Sequence, residues 1–173
     1  TSGTTGNPKG VVYSHRSSYL HAMAGCTTNG TGIGAIDCVL PIVPMFHANA
    51  WGLPYSALMA GADLAMPDRH LDAKSLVALI ESQRATVAGA VPTIWNDVMH
   101  YLEREPGHDI SSLRLAACGG SAVPVSLMQA FEQRHDVQVR QLWGMTETSP
   151  MATMAWPPPG TPDEQHWALR GTQ

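Results

Sequence analysis

The stretch TVAGAVPTIWNDVMHYLEREPGHDISSLRLAACGGSAVPVSLMQAFEQRHDVQVRQLWG, residues 86–144, decides how this chain folds. Three apolar runs within it, 86–91, 113–118 and 137–142, have the length and bulk of buried strands. Two helix-length segments separate them. The first opens at Pro92, which suits a first helical turn, and puts Trp95, Val98, Met99 and Leu102 on one face before Pro106-Gly107 ends it. The second opens at Pro124 and turns Leu127, Met128 and Phe131 inward. Strands alternating with helices of about a dozen residues predict an α/β fold with a mostly parallel sheet.

The same alternation extends toward the amino end. Leu76, Leu79 and Ile80 recur at helical spacing and predict an amphipathic helix from about Asp72 to Gln83. Residues 62–66 read as a strand, residues 53–60 as a helix with Pro54 in its first turn, and residues 38–43 as a strand stopped by Pro44. The Gly- and Thr-rich residues 29–35 read as a loop. Residues 15–26 read as a helix with Ser14 as N-cap, and residues 11–13 as a short strand. Beyond Pro150, Trp156 and the Pro157-Pro158-Pro159-Gly160 run predict a loop or an extended excursion. No segment repeats.

Composition bounds the function. Charged residues are 14% of the 173, against about 25% in a typical soluble domain, so some faces are expected to pack against further protein. A net charge of −4 and scattered Lys and Arg argue against a nucleic-acid partner. No apolar run reaches the length of a membrane span, and the first residues do not read as a signal peptide. Cys26, Cys38 and Cys118 lie far apart without CxxC spacing and read as reduced, buried thiols of a cytoplasmic protein. Eight histidines form no HExxH, so no metal is expected to be held by side chains alone.

Three segments carry chemistry. The first, TSGTTGNPKG at residues 1–10, offers the hydroxyls of Thr1, Ser2, Thr4 and Thr5, the glycines Gly3, Gly6 and Gly10, and the cation of Lys9. Backbone N–H groups freed by glycine form anion nests, and hydroxyls and a mobile ammonium suit a polyphosphate. It is not the GxxxxGK[ST] loop, because Pro8 precedes the lysine. The second, PMFHANAWG at residues 44–52, sets His47 and Trp51 four apart among small residues. His47 would guide a carboxylate and Trp51 would form an apolar wall or lid; a core role for both is the competing reading. The third, QLWGMTETSP at residues 141–150, follows a strand, where open α/β sheets bind ligands. There Trp143 offers a flat face for a base, Thr146 a hydroxyl for phosphate, and Glu147 an oxygen ligand for Mg²⁺. Gly119-Gly120-Ser121-Ala122 fails the GxSxG elbow, since Val123 stands where glycine is required, and reads as a tight turn that a ligand can approach.

Taken together, the segments resemble a family. TSGTTGNPKG is similar to the signature phosphate loop of the adenylate-forming superfamily, which comprises acyl-CoA synthetases, luciferases and peptide-synthetase adenylation domains. PMFHANAWG and QLWGMTETSP resemble its second and third signatures, in the same order, with the Gly119-Gly120-Ser121 turn between them. Within the superfamily, His47-Ala48-Asn49-Ala50-Trp51 resembles the medium- and long-chain fatty-acid–CoA ligases.

The resemblance implies ATP, Mg²⁺ and coenzyme A as cofactors or co-substrates, and a fatty acid as the acid. Thr1, Ser2, Gly3, Thr4, Thr5, Gly6 and Lys9 would hold the β- and γ-phosphates. Gly119, Gly120, Ser121, Trp143 and Gly144 would form the adenine pocket, with Gln141 beside it. Thr146 would contact the α-phosphate, Glu147 would bind Mg²⁺, His47 would lie near the reacting carboxylate, and Trp51 would gate an acyl tunnel. The catalytic set is then Lys9, His47, Thr146 and Glu147. The resemblance further implies that residues 1–173 are a fragment of one AMP-binding (adenylation) domain, starting in the phosphate loop and lacking the mobile C-terminal domain with its lysine. A homodimer at full length stays open. So do two other readings: a non-catalytic nucleotide-binding remnant, and a ligase for an aryl, short-chain or amino acid.

Overall fold

The structure, a computed structural model, describes residues 6–172. Five parallel strands form the body of the sheet: β1 (Cys38–Pro41), β2 (Asp63–Leu64), β3 (Val87–Ala90), β4 (Leu115–Gly119) and β5 (Gln138–Gly144). A sixth, β6 (Met151–Met154), runs antiparallel to β5, with Leu142 opposite Met154 and Trp143 opposite Thr153. The order is β2-β1-β3-β4-β5-β6. The chain therefore switches direction across the sheet between β1 and β3, and in open α/β sheets a crevice forms at the carboxyl ends of the strands beside such a switch.

Period-two alternation sends the strand side chains to two faces. Leu40, Ile42, Ala88, Ala90, Ala116 and Cys118 meet α3 (Ala73–Gln83), α4 (Pro92–Arg104) and α5 (Val125–His135). Val39, Val87 and Leu115 meet α2 (Leu53–Ala60), which packs beside α1 (His15–Gly25). Trp95 and Phe131 are fully buried and meet edge to face at 5.5 Å. Burial of side chains of this size stabilises by about 2–3 kcal/mol each. The Trp95 indole N–H donates to the Ala117 carbonyl at 3.3 Å, so its polar atom is satisfied inside the core. The helix starts follow the capping residues: Ser14 and Ser17 form a reciprocal box at α1, and Asp72 accepts from the Ser75 N–H at 3.0 Å at α3.

The amino ends of the strands are tied by one ionic knot. Asp37, ahead of β1, accepts from the Arg114 guanidinium at 3.0 and 2.9 Å, the Thr86 hydroxyl at 2.6 Å and the Gly34 N–H at 2.8 Å. Burial pushes its carboxyl up, but the bonds from Arg114, Thr86 and Gly34 outweigh that and hold it below the usual carboxylate range.

Three sequence expectations are corrected. Residues 11–13 form no strand: no neighbouring strand offers them a ladder, and Val12 stands exposed. Beyond Pro150, Trp156 and the Pro157-Pro158-Pro159-Gly160 run do lie in a loop, but it is flanked by two elements that were not expected, β6 before it and α6 (Asp163–Arg170) after it. The Arg170 guanidinium anchors that helix, pairing with Glu132, donating to the Val139 carbonyl at 2.7 Å and stacking over Trp156 and Trp167. Of the three free thiols only Cys118 is buried, its pKa pushed up to about 12 by burial; Cys26 and Cys38 are half-buried.

Candidate functional site

Strand ends and the turns that leave them build the site. β4 finishes at Gly119, and Gly120 follows with φ +85°, a left-handed conformation that lets the backbone turn at the strand end without a side chain in the way. β1 is prolonged by Ile42 and Val43, whose N–H groups both donate to the Gly89 carbonyl at 3.0 and 3.2 Å. Past Pro44 and His47 the chain then does something the sequence does not announce. Ala48, Asn49, Ala50 and Trp51 all adopt left-handed φ values, 46°, 53°, 52° and 56°, before Gly52 at 75°. Non-glycine residues in this region each cost about 1–2 kcal/mol. Packing offsets that cost: Ala50 is buried, and Trp51 lies against Val43, Ala117 and Leu142 with only 9% of its surface exposed. Backbone strain of this kind collects at functional sites.

β5 ends in Trp143 and Gly144, and the turn bearing Thr146 and Glu147 folds back onto it. A Cβ on Gly144 would stand 2.3 Å from the Pro150 carbonyl oxygen, so only glycine allows that return. Inside the turn the Met145 N–H donates to the Pro150 carbonyl at 3.1 Å and to the Thr148 hydroxyl at 2.9 Å. From outside, the Tyr13 hydroxyl donates to the Thr146 carbonyl at 2.6 Å. Burial, and then the Glu147 charge, raise the Tyr13 pKa, which keeps the hydroxyl a donor.

These turns enclose a cavity of about 490 Å³ at the carboxyl ends of the parallel strands. That volume falls within the roughly 300–1,000 Å³ of small-molecule sites. His47, Trp51, Gly119, Gly120, Trp143, Gly144, Thr146 and Glu147 all line it, so the second and third segments and the glycine turn converge on one space. Trp51 is a wall at its base and Trp143 an exposed aromatic face at its rim. An open groove of similar size on α3 and α4 is lined by Asp72, Asp97, His100, Glu103 and Arg104 and touches none of these segments.

Other expected residues lie elsewhere. Ser121 is exposed and off the cavity wall. Gln141 does not face the cavity either. It is buried behind the turn, its side-chain oxygen accepting from the Val123 N–H and its amide donating to the Thr172 carbonyl at 3.2 Å. A buried amide must pair, and these backbone groups take its bonds. Gly6 and Lys9 are exposed. Lys9 precedes Tyr13 by four residues, a span of at most about 14 Å, which bounds its distance from the Thr146 turn. Thr1, Ser2, Gly3, Thr4 and Thr5 lie outside the described residues. Ala48, Leu142, Met145, Pro150 and Met151 also line the cavity, unforeseen except by adjacency to the motifs.

His21, on α1, was not foreseen at all. Its ring lies where a Cβ on Gly52 would come within 2.6 Å, and its Nε2 accepts from the Met151 N–H at 3.2 Å. Burial lowers its pKa, so the neutral form required to accept is favoured. His135, on α5, is lowered as well, first by burial and then by Arg134. Both bind a proton more readily when unfolded, so stability is full above the unfolded value of 6.5 and falls as pH drops below it. Thermal melts between pH 8 and 5 are expected to show a declining Tm below about 6.5, with a weaker decline in His21→Gln. A Tm independent of pH over that range would contradict the assignment.

The family of AMP-binding enzymes matches residues 1–173. This chain belongs to that family. As an AMP-binding enzyme it is 50% identical over 151 residues to a long-chain-fatty-acid–CoA ligase of Thermus thermophilus, covering 87% of this chain and 28% of that protein. It is 45% identical over 157 residues to a 3-methylmercaptopropionyl-CoA ligase of Ruegeria pomeroyi, covering 91% of this chain and 29% of that protein. The O-succinylbenzoate coenzyme A synthetase of Bacillus subtilis, solved in complex with ATP and magnesium ion, superposes with a TM-score of 0.76 at 27% identity, covering 89% of this chain and 31% of that one. The chain thus spans less than a third of the length of the relatives it matches.

The donor set of this AMP-binding enzyme fits Mg²⁺ carried in with a nucleotide. Among the described residues no cluster of three or more His, Cys, Asp or Glu is present. Glu147 instead offers one exposed carboxylate on the cavity wall that Thr146 also lines. Mg²⁺ bound by one or two carboxylates plus substrate phosphates needs no more.

Proposed function

We propose that the full-length protein activates a fatty acid with ATP and transfers the acyl group to coenzyme A. The observation that supports this most is the convergence of His47, Trp51, Gly119, Gly120, Trp143, Thr146 and Glu147 on one cavity at the strand ends. In the first step the fatty carboxylate attacks the α-phosphorus of ATP, pyrophosphate leaves, and an acyl-adenylate forms. In the second the coenzyme A thiol attacks the acyl carbon and AMP leaves.

The protein contributes positioning and charge neutralisation rather than covalent chemistry. Gly119 and Gly120 present backbone to the base, and Trp143 supplies a face for it. Thr146 bonds the α-phosphate, and Lys9, with Thr1, Ser2, Gly3, Thr4, Thr5 and Gly6, holds the β- and γ-phosphates. His47 aligns the carboxylate. Glu147 would hold Mg²⁺, which would supply charge neutralisation at the phosphates. We read residues 1–173 as part of one adenylation domain, in line with the share of its relatives that the chain spans. No helix among the described residues is long and apolar enough to cross a membrane, and the free thiols suit a cytoplasmic enzyme.

The test is pyrophosphate exchange by the full-length enzyme over acids of increasing chain length, followed by coenzyme A-dependent AMP release. Exchange that rises with medium or long fatty acids supports the reading. Exchange only with aryl, short thioether or amino acids would replace the substrate while keeping the reaction, and ATP binding without exchange would leave a nucleotide-binding remnant. Because Trp51 walls the base of the cavity, Trp51→Ala is expected to shift chain-length preference by about 10-fold between short and long acids, the worth of one or two methylenes in an apolar pocket. Unchanged preference with weakened ATP binding would remove it from the acyl path.

A further inference from the structure

The turn that carries Thr146 and Glu147 is short, exposed at Glu147, and closed mainly by bonds among its own residues. Among the described residues, the side chains of Tyr13 and His21 reach it from a distant part of the sequence, and both follow the phosphate-loop segment. The Tyr13 hydroxyl grips its beginning, donating to the Thr146 carbonyl at 2.6 Å across 133 residues of sequence. The His21 imidazole grips its end, accepting from the Met151 N–H at 3.2 Å across 130 residues. The two bonds are complementary in kind, one donated to a carbonyl and one accepted from an amide, so each satisfies a backbone group of the turn.

The anchors themselves are held firmly. Tyr13 directly precedes Ser14, the N-cap of α1, whose reciprocal box with Ser17 fixes the helix start. His21 sits two turns into the same helix, its ring against Gly52, the last left-handed residue of the strained turn bearing Trp51. The segment from Tyr13 to His21 therefore adjoins the phosphate-loop segment in sequence, meets Gly52 of the Trp51 turn through His21, and reaches the Glu147 turn by two hydrogen bonds, one from Tyr13 just ahead of α1 and one to His21 within it.

We propose that Tyr13 and His21 are positioning residues which clamp the Thr146–Glu147 turn at both ends and so fix the metal-bearing carboxylate relative to the phosphate loop. Fixing the Thr146 carbonyl orients the peptide plane that leads into Glu147, and fixing Met151 stops the turn from sliding along β5. Catalysis that depends on placement is sensitive to such support, since a misplacement of about 1 Å can cost on the order of 100-fold. This inference rests on the proposed role of Glu147.

The experiment uses the full-length enzyme and follows pyrophosphate exchange as a function of Mg²⁺ and of fatty acid. Tyr13→Phe and His21→Leu are each expected to raise the Mg²⁺ half-saturation about 5-fold, the worth of one hydrogen bond, and to lower kcat while leaving the fatty-acid KM in place. His21→Gln, whose side-chain oxygen can still accept from Met151, should recover most of the loss seen with leucine. Should the leucine variant not fold, Tyr13→Phe, which removes one oxygen atom, decides alone. Unaltered Mg²⁺ dependence in Tyr13→Phe overturns the clamp, even if the Tm falls, provided Glu147→Gln is strongly impaired. If Glu147→Gln is itself unimpaired, the reading of the site fails instead, and the clamp fails with it.

Discussion

Replacing Glu147 with alanine in the full-length enzyme is expected to lower acid-dependent pyrophosphate exchange by about 100- to 1,000-fold, the loss typical of one preorganised electrostatic group. The carboxylate lines the cavity and is exposed, so its removal takes away the metal ligand proposed from the described residues. Lys9→Ala should lower the same rate by about 10- to 100-fold, since a charge-assisted bond to phosphate is worth roughly 1.5–3 kcal/mol. The two differ in signature. Excess Mg²⁺ should restore part of the Glu147→Ala loss and none of the Lys9→Ala loss, whereas excess ATP should help the lysine variant more. Wild-type exchange in either variant would remove that residue from the site.

The second large effect is on stability. Asp37→Ala breaks the knot at the amino ends of β1, β3 and β4: the Gly34 N–H loses its acceptor, the Thr86 hydroxyl is left with the Cys38 carbonyl, and the Arg114 guanidinium keeps only the Thr31 and Gly32 carbonyls and loses its countercharge. The Asp37 side chain is only 6% exposed, so removing it is expected to cost about 3 kcal/mol, read as a lower midpoint in urea. Because its carboxyl is held below the ordinary 3.8, its contribution is complete above that pH and disappears as pH falls through the depressed value. The stability gap between wild type and Asp37→Ala should therefore close on acidification below about pH 4. A gap unchanged at low pH would mean that Asp37 acts by packing alone.

What the sequence revealed follows from how local each signal is. α3, α4 and α5 were legible because Leu76, Ile80, Trp95, Met99, Leu127 and Phe131 repeat at helical spacing beside clear caps and prolines. β3, β4 and β5 were legible as short apolar runs between them. β6 was not: Met151–Met154 is an edge strand with two exposed residues, and its pairing is fixed by β5 rather than by its own composition. α6 was hidden by the Pro157–Pro159 run, and what holds it, the Arg170 contacts with Glu132, Trp156 and Trp167, is tertiary.

In the site, the motif residues were legible because glycines, hydroxyls and charges carry their chemistry in their type. The left-handed turn at Ala48–Trp51 left little trace: Asn49 tolerates that conformation, but alanine and tryptophan do not favour it, and packing imposes it on them. The orientation of Gln141 was equally illegible: its side chain, polar and next to the motif, turns inward to hold the Val123 and Thr172 backbone. Tyr13 and His21 act on backbone atoms more than a hundred residues away, which no local pattern encodes.

One nucleotide shared between a lysine and a carboxylate that lie far apart in sequence is the heart of the account. Anomalous scattering from Mn²⁺ soaked with ATP into crystals of the full-length enzyme would locate the metal directly. The account predicts a peak about 2.0–2.5 Å from a Glu147 carboxylate oxygen, with the triphosphate running from it to Lys9 and the base against Trp143. A metal seated instead among Asp72, Asp97 and Glu103 on the α3–α4 groove, or a triphosphate that reaches Glu147 and leaves Lys9 untouched, would contradict it.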